Sequence, residues 1–282
     1  IDAVYIATPV NAHFRQVISA AGRGKHVLCE KPLGMTLKQC EDMIKACKKS
    51  RVKLGVGFMM RFHAWHVKIK RLVDSGALGK PVYGRAQLSC WYPKIKGSWR
   101  QDPKTGGGGS FIDMGSHCID ILEMFFGKTA EVTALQSSLV QDYKVEDTSI
   151  VSLKFKSGAV GSVDNLFNVP DESSENRLEV YGSGGSVLAT GTIGQSPLGK
   201  MKFTASAQKG YAAKQDRNVS GTAALRVPPH SGAALRVPPD SGKPAAKPVN
   251  MYKAEIEGFA QSIIAGGKPP VTGEDGFWNQ KV

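Results

Sequence analysis

The chain has little of what marks a secreted, membrane-spanning or metal-stapled protein. No stretch of about 18 uninterrupted apolar residues occurs, which leaves no candidate for a transmembrane helix. Ile1 opens directly on a strand pattern, without the basic segment, apolar core and cleavage site of a secretory leader, so the chain reads as starting inside a domain. The five cysteines (Cys29, Cys40, Cys47, Cys90, Cys118) are odd in number, scattered and without CxxC spacing. They argue against a disulfide framework and against a zinc site, call for no metal, and suit a reducing, cytoplasmic setting. Zinc fingers, an RRM signature and basic stripes interleaved with aromatics are all missing. The 37 Lys and Arg against 24 Asp and Glu, a formal net charge of +13, therefore read as a solvated surface that favours anionic cofactors or substrates. Nucleic acid is not expected as a partner.

What is present is organised around Gly106-Gly107-Gly108-Gly109-Ser110-Phe111-Ile112-Asp113-Met114-Gly115-Ser116-His117. If the segment after the glycines is helical, as Ile112, Met114, Ile119, Ile121 and Leu122 suggest, Asp113 and His117 stand four apart on one face. A carboxylate beside an imidazole holds the ring and raises its basicity, which suits a general base near neutral pH. The glycines let backbone approach a ligand closely. A plain glycine loop capped by a helix with a satisfied histidine fits the same spacing, and the pair by itself does not choose between them. Cys118 follows His117 directly and so points elsewhere on a helix; it reads as core, not as a nucleophile.

In chain order, Ile1 to Ala7 is an apolar run expected to form a parallel strand buried on both faces. Thr8-Pro9 breaks it, Asn11 is placed to cap, and Phe14, Val17, Ile18 and Ala21 give a helical period. His26 to Cys29 is a second buried strand. Strand, helix, strand is a βαβ unit, whose ligands belong at the strands' carboxyl ends, here Thr8-Pro9 and Glu30-Lys31-Pro32. Thr36 opens a helix through Cys47, Val52 to Phe58 is a third strand, and Ala64 to Val73 is helical. From Pro81 the texture becomes β-rich: Val82 to Ser89, Val132 to Val140, Thr148 to Phe155, Ala159 to Asn165, Arg177 to Tyr181 and Ser186 to Ala189. Gly182-Ser183-Gly184-Gly185 imitates a dinucleotide loop but joins strand to strand, where that fingerprint needs strand, loop and helix. Residues 205–249 hold no sustained periodicity and contain a near-repeat, 220–229 against 231–239, so they read as a flexible low-complexity loop. Asn218 starts a short glycosylation pattern that means nothing without secretion. Met251 to Ile264 is an amphipathic helix, and Thr272 to Asp275 opens another.

The fold class is thus α/β: a partial Rossmann-type parallel sheet over 1–63, then an α+β domain with an open, mainly antiparallel sheet over 64–282. With Ala7-Thr8-Pro9 and His13, Glu30-Lys31-Pro32, Met60-Arg61-Phe62, Trp99-Arg100 with Asp102, the GGGGSFIDMGSHCID stretch, Ala254-Glu255-Ile256 and Thr272-Gly273-Glu274-Asp275-Gly276, the chain resembles the glucose–fructose oxidoreductase and inositol dehydrogenase family, Gfo/Idh/MocA. These pieces fall in the family's order and cover nearly all of the chain except 205–249.

The resemblance implies an NAD- or NADP-dependent oxidoreductase acting on a secondary alcohol or carbonyl of a sugar, polyol or cyclitol. It implies Lys31, Asp113 and His117 as catalytic residues: Lys31 beside the nicotinamide, Asp113 holding substrate and orienting His117, and His117 moving the hydroxyl proton. Pro32 permits a cis bond aiming Lys31 inward. Thr8, Pro9, His13, Glu30, Lys31, Trp99 and Arg100 would lie along the cofactor. Met59, Met60 and Phe62 read as core, and Arg61 as either an ion-pair partner or a site residue. A carbohydrate-like substrate and homo-oligomers through the C-terminal sheet are expected partners; a membrane is not. The family's first strand, Gly-rich phosphate loop and ribose-reading residue would precede Ile1, and the last helix reads as cut short. Two other outcomes stay open: glycoside cleavage by transient oxidation on the same residues, and a non-catalytic fragment or binding module.

Overall fold

The computed structural model describes residues 1–205 and 247–282. The near-repeat, the Asn218 pattern and all but the ends of the 205–249 loop lie outside these residues.

The first layer is a βαβαβ run: β1 (Ala3–Ile6), α1 (Val10–Gly22), β2 (His26–Glu30), α2 (Leu37–Lys49) and β3 (Leu54–Gly57). The three strands are parallel in the order β1-β2-β3. Val27, Leu28 and Cys29 of β2 and all of β3 are buried, as their continuous apolar runs require. β1 departs from expectation. It lies at the end of the sheet, and Ala3 and Tyr5 are exposed. The Thr36 hydroxyl accepts the Gln39 N–H at 3.2 Å and so starts α2 as the sequence predicts. Asn11 does not cap α1: the helix begins after Pro9, whose fixed φ of −56° leads into it without a side-chain cap. Val17 and Ala21 of α1 and Cys40, Met43 and Cys47 of α2 close a core with Val27, Cys29, Val56 and Phe58.

A 3₁₀ turn (Met59–Phe62) leads to α3 (Ala64–Asp74) and β4 (Pro81–Ser89). The chain then crosses a second 3₁₀ turn (Trp99–Gln101), the short α4 (Pro103–Gly106), a π-turn (Phe111–Gly115) and α5 (Ser116–Phe126). β5 (Thr129–Ser137), β6 (Thr148–Phe155), β7 (Val160–Leu166), β8 (Arg177–Gly182), β9 (Gly185–Thr190) and β10 (Lys200–Ala205) follow. Last come α6 (Met251–Ile264) and α7 (Gly273–Lys281).

The large sheet runs β10-β9-β8-β4-β7-β6-β5. Its neighbours are antiparallel except β4 and β7, which run parallel because the long excursion through the two turns and α5 separates β4 from the strands after it. β8 and β9 pair through Gly182–Gly185, so the glycine-rich imitation is a hairpin. β10 has no counterpart among the strands read from the sequence. β5 ends three residues short of the expected Val140, because Leu139, Val140 and Gln141 turn their N–H groups onto the Asp147 carboxylate.

α5 covers one face of this sheet. Ile119, Ile121, Leu122, Phe125 and Phe126 are buried against Val151, Phe155, Val163 and Leu178. Each fully buried side chain of this size contributes about 1.5–3 kcal/mol. Packing therefore outweighs the ~1 kcal/mol that a side-chain cap, which α5 lacks, would add. A Cβ at Gly84 would lie 2.3 Å from the Phe126 ring, so glycine lets α5 sit close on β4. α6 and α7 return to the parallel sheet: Val56 N–H donates to Val271 O at 3.2 Å, and Thr272 and Asp275 form a capping box that starts α7.

Candidate active site

Two loops at the carboxyl ends of β1 and β2 form one rim of the site. His13, on the buried stripe of α1, stands between them, with Nε2 2.9 Å from the Thr8 carbonyl and Nδ1 3.1 Å from the Pro32 carbonyl. The tautomer decides which carbonyl receives the N–H. At 1% exposure, His13 fixes the spacing of the loops from behind. The Thr8 hydroxyl donates to Gln16 Oε1 at 2.7 Å. The Glu30 carboxylate accepts the Tyr5 hydroxyl and, at 3.1 Å, the Lys31 N–H. It lies over Gly57, where a Cβ would come within 3.1 Å of it.

The Lys31–Pro32 peptide is cis. Lys31 Nζ donates to Asp113 Oδ1 at 3.0 Å and to the Asp113 carbonyl, with its side chain only 11% exposed. Asp113, in the π-turn, also faces Arg100 Nε at 3.3 Å, and the Arg100 guanidinium lies over the Trp99 ring at 4.2 Å. Burial alone would raise the Asp113 carboxyl; the ammonium of Lys31 and the guanidinium of Arg100 outweigh it and hold the group below its ordinary value.

His117 sits in the first turn of α5, buried, with its ring edge-on to Phe58 at 5.9 Å. Among the described residues its Nδ1 has no hydrogen-bond partner. Burial, reinforced by the Lys31 charge and only partly opposed by Asp113, holds the imidazole well below its ordinary pKa. The ring is thus neutral at physiological pH, and a weaker base than the sequence predicts, because burial outweighs the nearby carboxylate.

The structure brings Lys31, Asp113 and Arg100 into one ion cluster with His117 in its field, but Asp113 does not orient His117 as the sequence predicts. Two cations are stronger partners for a carboxylate than a neutral ring. The five-residue spacing of the π-turn also breaks the four-residue stacking on which that pairing relies.

The glycine run likewise differs from expectation. A Cβ at Gly109 would lie 2.0 Å from the Glu146 carbonyl oxygen, and one at Gly106 2.9 Å from the Trp99 carbonyl, so at these two glycines protein backbone occupies the close approach expected of a ligand. Arg61 resolves as a structural partner. Its Nε and Nη2 donate to the buried Asp120 at 2.8 and 2.6 Å, tying the Met59–Phe62 turn to α5.

Two acids escape the sequence reading of the site. Glu146 accepts N–H groups from the glycine run, and no local motif marks it. Glu255, 2% exposed, has neither carboxyl oxygen hydrogen-bonded among the described residues. Burial, with Glu30 and Asp120 nearby, raises it to about 8. Its signal was legible: an acid at the spacing of the buried stripe Met251, Glu255, Phe259. Beside Trp99 a cleft of about 890 Å³ opens, lined by residues between Lys94 and Thr105 and by Asp142, Tyr143 and Lys144; Lys31, Arg100, Asp113 and His117 are not part of its lining. Among the described residues no helix is long and apolar enough to cross a membrane.

The family model described as "Oxidoreductase family, NAD-binding Rossmann fold" matches residues 1–58, and "GFO/IDH/MocA C-terminal domain" matches residues 66–188. A 1,5-anhydro-D-fructose reductase of Ensifer adhaerens is 29% identical over 281 residues, 99% of this chain and 74% of that protein. A myo-inositol 2-dehydrogenase of Thermotoga maritima is 34% identical over 194 residues, 67% of this chain and 56% of that protein. Among solved structures, the aldose-aldose oxidoreductase of Caulobacter crescentus in complex with glycerol superposes with a TM-score of 0.81 at 28% identity, over 100% of this chain and 74% of that one. The chain thus spans about three quarters of the reductase and little more than half of the inositol dehydrogenase.

Proposed function

The chain belongs to the Gfo/Idh/MocA family of NAD-binding oxidoreductases, and from that premise we propose that it interconverts a secondary alcohol and a carbonyl on a sugar, polyol or cyclitol, with NAD or NADP. The observation that carries this reading is a neutral, buried His117 beside the Lys31–Asp113 ion pair, at the carboxyl ends of parallel strands. These residues fit such a cofactor: the loops after β1 and β2 are held at fixed spacing by His13, and a buried imidazole nitrogen stands unpartnered beside them. Thr8, Pro9, Glu30 and Lys31 would hold the cofactor from these rims and Trp99 with Arg100 from the facing turn, while His13 would act from behind. When bound, the nicotinamide supplies the hydride acceptor or donor.

In the oxidising direction, His117 accepts the hydroxyl proton. The Lys31 ammonium, fixed by Asp113, donates a hydrogen bond to the same oxygen and favours the charge that grows on it. In the reducing direction the proton returns by the same route. The five free cysteines support a reducing compartment such as the cytoplasm.

The test is turnover of a panel of aldoses and cyclitols with NAD and NADP by the full-length protein and its His117→Ala variant. A general base contributes about 10²–10⁴-fold, and a loss of that size is expected; turnover within twofold of the parent overturns the assignment.

Self-association belongs to the same proposal. Leu135, Ile150, Val160 and Leu188 are exposed on the large sheet's outer face, away from α5, and a second copy would bury them.

A further inference from the structure

The N–H groups of Gly109, Ser110 and Phe111 all end on one residue from another part of the chain. Glu146 Oε2 accepts Gly109 N–H at 2.9 Å, Oε1 accepts Phe111 N–H at 2.9 Å, and the Glu146 carbonyl accepts Ser110 N–H at 3.1 Å. These are the unpaired donors at the start of a helical segment, which a neighbouring Ser, Thr or Asp ordinarily caps. Here the cap comes from 35 to 37 positions away. The Gly109 carbonyl in turn accepts the Asp113 N–H at 3.0 Å, and Asp113 holds Lys31.

Glu146 is itself fixed. Its neighbour Asp147 is fully buried and accepts N–H groups from Leu139, Val140 and Gln141, the Thr148 hydroxyl and the Asn168 amide. Asp147 also donates its N–H to Ser137 O at 3.1 Å and accepts Phe167 N–H at 2.7 Å. The start of β6 is thereby tied to the ends of β5 and β7.

We propose that Glu146 is a positioning residue: it clamps the π-turn to the large sheet and so sets where Asp113 holds the Lys31 ammonium. The inference rests on the reading that Lys31 and Asp113 belong to the active site. It accounts for Gly109, where any side chain would strike the clamp.

The test needs neither substrate nor cofactor. Acylation of lysines by a small activated ester is followed by peptide mass spectrometry in the parent, Glu146→Ala, Glu146→Gln and Val151→Ala, the last a core variant of the same sheet that serves as a matched destabilisation control. Lys96, which is exposed, is the internal reference. With the clamp gone, Lys31 labelling is expected to rise about tenfold relative to Lys96 in Glu146→Ala, and less in Glu146→Gln, which keeps one acceptor oxygen. Should Glu146→Ala fail to fold, the rise in Glu146→Gln carries the test. Lys31 labelling unchanged in the folded variants, or raised equally by Val151→Ala, overturns the proposal. Turnover of His117→Ala fails separately, so loss of the dehydrogenase reading and loss of the clamp are distinguishable.

Discussion

Lys31 and Asp113, 82 positions apart in the chain, are joined twice: Nζ meets the carboxylate at 3.0 Å and also the backbone carbonyl. One comes from the end of a parallel strand, the other from the π-turn before α5. Side-chain exposures of 11% and 27% separate this pair from fully exposed surface ion pairs, whose worth is about 0–1 kcal/mol. Its use lies in geometry. The second bond, to a carbonyl that does not titrate, holds the ammonium while the same carboxylate oxygen also faces Arg100 Nε at 3.3 Å.

His117 should remain neutral far into the acid range. Its folded pKa lies well below the ordinary 6.5 because of burial and then the Lys31 charge. The unfolded chain takes up a proton near pH 6.5 that the folded chain refuses, so stability falls as pH drops below that value, by about 1.4 kcal/mol per unit for this one group. The check is NMR of the imidazole carbon protons between pH 8 and 5.5. A flat His117 signal is expected, and Lys31→Met should move its titration upward. A parent midpoint near 6.5 contradicts the account.

Glu255→Gln should stabilise the protein on the alkaline side. The folded pKa is about 8 against an ordinary 4.5. Between those values the unfolded chain is ionised while the folded chain keeps its proton, and stability declines with rising pH until it levels above pH 8. The difference at pH 8 is on the order of a few kcal/mol. Thermal melts of the two proteins should nearly meet at pH 5 and separate toward pH 8, the glutamine variant melting higher. Parallel curves would show that Glu255 has found a donor in solution.

Two glycine-to-alanine changes should part in sign. At Gly109 the new methyl lands 2.0 Å from the Glu146 carbonyl oxygen, a backbone atom that cannot step aside; a loss of about 1–3 kcal/mol is expected. At Gly22, in the last turn of α1, nothing among the described residues lies within 4 Å of the new methyl, and alanine should gain up to about 1 kcal/mol through its helix preference. Chemical denaturation of both variants measures the contrast, and equal midpoints would refute the steric argument.

From the sequence alone came the βαβ order, the Thr36 cap, the span of α6 and the reading of Gly182–Gly185 as a strand connection. Each depends on a handful of adjacent residues: a period, a cap, a turn. The positions that gather at the site were also legible as types, a lysine after a strand and an acid and a histidine after glycines. Their partners were not. That Asp113 takes Lys31 and Arg100 rather than His117, that Gly109 is small for Glu146 rather than for a ligand, that β4 runs parallel to β7, and that Glu255 is left without a donor were decided by the docking of α5, the π-turn and α6 on two sheets. Hydrogen bonds and ion pairs go to the strongest partner within about 3 Å, and which groups come within that distance is set by packing between segments that the chain keeps tens of residues apart.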